Sequence, residues 1–155
     1  MSKEHDEFIA NSKPYPYDPN SELAKRLRRH DWNWSYRETR MRVLTKDLVG
    51  YKRVKTEQAN FSWKEKRYTI ALLIPKGTIV HCSGSRRKCR ARMAVVLDDY
   101  QVGPTKSLRQ WSDAIIYKQG KVVRPDRPFS LNLEECASGI HFFWEAREAQ
   151  RYNMN

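Results

Sequence analysis

No apolar run in this sequence approaches the ~20 residues that a helix needs to cross a bilayer, which excludes a protein that crosses with helices. Cysteine and histidine are scarce too, at three and four residues. A small, odd number of cysteines argues against a disulfide framework and for a reducing compartment, with Cys89 and Cys136 expected as free, structural thiols. None of the three belongs to a Cys-x-x-Cys knuckle, the strong sequence form of a zinc site. Glycine is sparse at six residues, and no segment has the glycine count and following helix of a Walker loop. The start, Met1-Ser-Lys-Glu-His-Asp-Glu7, is polar and acidic and has no secretory-signal layout. Together these absences lead us to expect an intracellular protein without a cofactor.

What is present supports a folded domain. The chain has 155 residues, 39% apolar and 12% aromatic, enough for one core and too apolar for a wholly disordered chain. Its net charge of +12 is concentrated in the middle. Residues 76–109 hold eight Lys/Arg against two Asp/Glu, whereas residues 110–155 hold six of each. A folded basic face attracts polyanions through their phosphates. The competing explanations are solubility and contact with an acidic protein.

Three regions follow from the pattern. Residues 1–20 read as an extended arm, because Lys13-Pro-Tyr-Pro-Tyr-Asp-Pro19 fixes φ and removes donors. Residues 21–45 read as a basic helix, with Asp18-Pro19 as cap and first turn and Leu23, Leu27 and His30 at helical spacing. A Trp-rich extended piece, Trp32 to Tyr36, follows it. Residues 46–155 read as a compact domain. Its strands are expected at 48–54, 68–74, 78–82, 91–97 and 140–143, with a turn at Pro75-Lys-Gly77 and a hairpin 114–124 turning at Gly120. Its last helix is expected at 144–152. The predicted class is α+β: a mainly antiparallel sheet with an N-terminal basic helix and a short C-terminal helix.

Two dense stretches stand out: Ser85-Arg-Arg-Lys-Cys-Arg-Ala-Arg92 and Cys136-Ala-Ser-Gly-Ile-His-Phe-Phe143. They occur in order with Gly50-Tyr-Lys-Arg53, Leu72-Leu-Ile-Pro75, Ala94-Val-Val-Leu97, Tyr117-Lys-Gln-Gly-Lys121 and Glu148-Ala149. With these pieces the run from Gly50 to Tyr152 resembles an uncharacterised domain family common in phages and giant DNA viruses, where it is often attached to pentapeptide repeats. Family members usually have a longer serine-rich approach to Arg-Lys-Cys-Arg than His81-Cys-Ser-Gly-Ser85. The resemblance implies a viral setting and a fold unit, with no established activity. It places the protein in the cytoplasm of an infected cell or in a virion.

Four chemistries compete for these residues. Ser83, Ser85, Arg86, Arg87, Lys88, Arg90 and Arg92 form the phosphate-binding candidate, with serine and glycine amides beside guanidinium forks; the alternative is a solvated hairpin loop. Tyr15, Tyr17, Arg28, Arg29, Trp32 and Trp34 are the partner-binding candidates, by stacking or by wrapping a neighbour. Cys89, Cys136 and His141, with His81 or Cys82, are a weaker zinc set. A Cys89 nucleophile needs His141 nearby as a base. Gly139-Ile-His-Phe-Phe143 before a short helix looks somewhat like the pattern of ADP-ribosyltransferase-like domains, without an identifiable catalytic carboxylate. The leading expectation is a non-enzymatic basic binding protein for nucleic acid or a nucleotide. The alternative is a structural subunit of a virion or nucleoprotein particle; no membrane partner is expected.

Overall fold

The computed structural model describes residues 3–16, 20–22, 25, 41–56, 66–83, 88–99, 105–107, 115–131 and 137–152. Among these residues two short helices accompany a ten-stranded antiparallel sheet. In chain order the elements are α1 (Lys3–Ala10), β1 (Ser12–Pro14), β2 (Met41–Leu44), β3 (Leu48–Thr56), β4 (Arg67–Ile74), β5 (Ile79–Cys82), β6 (Lys88–Ala91), β7 (Ala94–Asp98), β8 (Thr105–Ser107), β9 (Val122–Val123), β10 (Ile140–Phe143) and α2 (Ala146–Arg151). The spatial order is β1-β2-β5-β6-β10-β3-β4-β7-β9, with β8 beside β3. This is a mainly-sheet α+β fold. None of the described helices is long and apolar enough to cross a membrane.

Alternation sets the core. Leu48, Gly50, Lys52 and Val54 of β3 face inward opposite Ile74, Leu72, Ile70 and Tyr68 of β4. β10 comes in from the other side with Ile140 and Phe142 buried. Gly50 is required there, since a Cβ would lie 2.4 Å from the Phe142 ring. β4 ends in the expected turn, where Gly77 takes φ 87°. The expected hairpin is only half present. Gly120 turns with φ 82°, but β9 pairs β7, while Tyr117 bridges Thr105. The apolar run 91–97 is likewise split, its first residue ending β6 and its last four falling in β7, with Arg92 and Met93 between the strands.

The amino-terminal segment differs from the expected arm. Lys3–Ala10 is helical, and Phe8 is fully buried and stacked on Trp144 with ring centroids 5.0 Å apart. The physical reason is position: the prolines all follow Ser12, so they restrict only the chain after the helix. β1 then adds an edge strand to β2, where Pro14 is tolerated. Arg42 clamps the junction, donating from Nε to Ser12 Oγ at 2.6 Å and from Nη2 to the Ser12 carbonyl at 2.9 Å. The described N-terminal helix is therefore α1; most of the expected basic helix and all of the Trp-rich piece lie outside the described residues.

Candidate phosphate-binding groove

The sheet register brings the two dense sequence stretches together. β6 and β10 are neighbours, with His141 opposite Arg90 and Phe142 opposite Cys89. Gly139 allows this approach, because a Cβ on it would lie 2.8 Å from Arg90 Cβ. Opposite residues share a face, so Cys89 and His141 point to opposite sides of the sheet. That separation removes the nucleophile–base pairing.

Cys89 is also not a free thiol. It is disulfide-bonded to Cys82, its partner across the β5–β6 pair, which corrects the expectation of a reduced Cys89. The Trp144 indole N–H donates to Cys82 Sγ at 3.3 Å. Among the described residues no group of three His, Cys, Asp or Glu side chains is placed to hold a metal ion; Cys136 lies outside them.

The basic residues of 83–92 divide into inside and outside. Ser83 is buried and its amide donates to the Lys88 carbonyl at 2.9 Å, so that amide serves the ladder rather than an anion. Lys88 is half-buried, its Nζ 3.1 Å from Tyr152 Oη and 4.8 Å from the ring centroid. Arg90 is fully buried and donates from Nη1 to the carbonyls of Ser130 at 2.6 Å and Ser138 at 3.0 Å. It therefore ties strands to loop and does not face a surface ligand. Arg92 is exposed. Ser85, Arg86 and Arg87 lie outside the described residues, as do Tyr17, Arg28, Arg29, Trp32 and Trp34.

Arg92 lines an open groove of about 440 Å³ together with Arg124, Arg127, Tyr15, Phe129 and Asp126. Its lining thus includes three arginines and two aromatic residues against one aspartate. A larger cavity of about 620 Å³ beside α2 has the reverse character, with Glu7, Asp47 and Glu145 against Arg147. Coulomb interaction alone directs a phosphate to the smaller one.

Arg90, Lys52 and Lys88 all lie near enough to His141 to act on its charge. The Lys52 Nζ donates to the His141 carbonyl at 2.8 Å and stands 5.4 Å from the Tyr117 ring centroid. Burial, helped by the nearby charge of Lys88, lowers its pKa from 10.5 to about 7. Burial also lowers His141 from 6.5 to about 3, with Lys52, Lys88 and Arg90 adding to the shift and a bond to the Ala137 carbonyl opposing it. His141 Nε2 is 2.9 Å from that carbonyl. A carbonyl only accepts, so Nε2 carries the proton of the neutral ring.

Sequence reading missed Arg124, Arg127 and Phe129. The available signal was Arg124-Pro-Asp-Arg-Pro-Phe129, a proline-stiffened loop with two arginines and one aromatic. It missed Lys52 as well, although that lysine interrupts the inward row of β3.

A model of a family of unknown function, DUF5758, matches residues 39–149. No curated protein and no solved structure matches the chain.

Proposed function

The chain belongs to DUF5758, a family of unknown function, and from that premise we propose that it is a virus-encoded, non-enzymatic basic protein that binds a phosphate-bearing ligand, nucleic acid or nucleotide. The viral setting, in an infected cell or a virion, rests on the motif resemblance alone. The binding role rests on one observation: Arg92, Arg124 and Arg127 line the same open groove with Tyr15 and Phe129. Guanidinium forks match phosphate oxygens in charge and geometry. Ser85, Arg86 and Arg87, which follow β5 and precede β6 in the sequence, stay in the proposed set.

The test is a salt titration of heparin and oligonucleotide binding. Changing Arg92, Arg124 and Arg127 to Ala should weaken binding and reduce the slope of log K against log salt by about 2–3. Unchanged affinity at low salt overturns the proposal.

A second reading, a structural subunit of a larger assembly, is favoured by a different face. Val49, Leu73, Val95 and Val122 are paired successively across β3, β4, β7 and β9. Val49 and Val122 are 42% and 47% exposed at the two ends of this apolar row. Contiguous exposed apolar surface of this kind marks contact sites. If this face is used, Val49→Lys should abolish concentration-dependent assembly seen by sedimentation and leave polyanion affinity intact.

A further inference from the structure

The groove is more than a cluster of charge. Phe129 is held from behind by Arg90, whose guanidinium carbon lies 4.8 Å from the ring centroid. Arg90 is itself fixed by the Ser130 and Ser138 carbonyls. Ser138 Oγ donates to the Arg127 carbonyl at 2.9 Å, so the same anchor holds Arg127's backbone. Pro125 and Pro128 restrict φ on either side of Asp126-Arg127. The second ring, Tyr15, comes from the end of β1, where its amide donates to the Met41 carbonyl at 2.9 Å. The Phe129 ring and the backbones that carry Arg127 and Tyr15 are thus set in place before a ligand arrives, which reduces the ordering cost of binding.

Asp126, in the same lining, would discriminate among phosphate ligands. A carboxylate beside three arginines repels a bare polyanion but accepts hydrogen bonds from base N–H groups. The rings discriminate further. In a duplex each base face is covered by its neighbours, so an aromatic side chain in a groove meets only edges and backbone. An unpaired base offers its face, and stacking on aromatic side chains is how sequence-tolerant single-strand binders hold it.

We propose that this groove binds single-stranded nucleic acid, with unpaired bases stacked on Phe129 and Tyr15 and phosphates held by Arg92, Arg124 and Arg127. The proposal rests on the phosphate-binding reading above and adds the ligand's strandedness. It also makes Tyr15 a determinant of that preference, although Tyr15 lies before residues 39–149, the span of the family match.

The experiment uses the full chain and a labelled 15-nucleotide strand, the same strand annealed to its complement, a nucleoside monophosphate and heparin, at one fixed salt concentration. The strand should bind at least tenfold more tightly than the duplex or the monophosphate. Tyr15→Leu, which keeps bulk without a π face, should weaken strand binding about fivefold or more and change duplex and heparin affinity less than twofold. Tyr15→Phe should restore strand binding, which separates stacking from a fold defect. Equal affinity for strand and duplex, or a uniform loss for every ligand in Tyr15→Leu and not in Tyr15→Phe, overturns the single-strand proposal. In that event arginine-dependent heparin binding still upholds the broader reading. No binding of any polyanion overturns both.

Discussion

Lys52 shows how one side chain can oppose the fold that contains it. It occupies a core position between Gly50 and Val54, opposite Ile70, and meets a carbonyl rather than a carboxylate. The unfolded chain takes up the lysine proton near pH 10.5, the folded chain only near 7. Between those values the unfolded state binds more protons, so stability falls as pH drops from about 10.5 to 7 and is level below that range. His141 adds a second decline between 6.5 and about 3. Lys52→Met should therefore raise stability at pH 7 by about 1–3 kcal/mol, after the lost hydrogen bond is counted. It should also flatten the alkaline limb of a denaturation-midpoint profile. An unchanged slope between pH 7 and 10 would show that the amine is not what titrates. Alternation correctly placed the strand containing Lys52, but a charged residue at an inward position reads as an interruption. Only the neighbouring carbonyl of a strand 89 residues away explains how it is accommodated.

The β5–β6 hairpin carries the same lesson at the level of an element. β5 was legible as an apolar run bounded by a turn signal, and so were β3, β4, β10 and the C-terminal helix, but β6 was not: Lys88-Cys-Arg-Ala91 carries two charges and lies almost wholly between the strands expected at 78–82 and 91–97. The strand pairing was not legible either, because strand order depends on contacts that no local pattern encodes. The two dense motifs meet only because β10 inserts between β6 and β3. The disulfide was missed for a related reason. Counting cysteines spoke to compartment, whereas register places Cys82 directly opposite Cys89. Closing so short a loop should stabilise the fold by roughly 2–3 kcal/mol in the chain-entropy account. Iodoacetamide applied to the denatured, unreduced protein should label Cys136 alone, and all three cysteines after reduction. Reduction should also lower the melting temperature. Labelling of all three without reductant would return Cys82 and Cys89 to the thiol form first expected.

At the scale of the whole molecule, the described fold extends beyond the 39–149 span that defines the family match. Phe8 belongs to the same buried cluster as Leu44, Phe142 and Trp144, and Phe142 meets Trp144 edge-on at 4.8 Å. Removing residues 1–16 would strip one face of Trp144. It would also take Ser12 and the Ile9 carbonyl away from the guanidinium of Arg42, a residue that is 8% exposed. The first loss resembles a large-to-small core substitution, about 3–5 kcal/mol for a phenylalanine. The second leaves a buried charge with fewer partners, a further destabilisation. Against the 5–15 kcal/mol typical of a domain, the sum is a large share of total stability. A chain starting at residue 17 should therefore unfold at clearly lower denaturant concentration than the full chain, and Phe8→Ala alone should account for most of that shift. In the full chain the amides of Tyr15 and Thr45, which donate to Met41 and Asn11, should exchange slowly. Equal midpoints for the full and shortened chains, with fast exchange at both amides, would return residues 1–16 to the free arm that their prolines suggested.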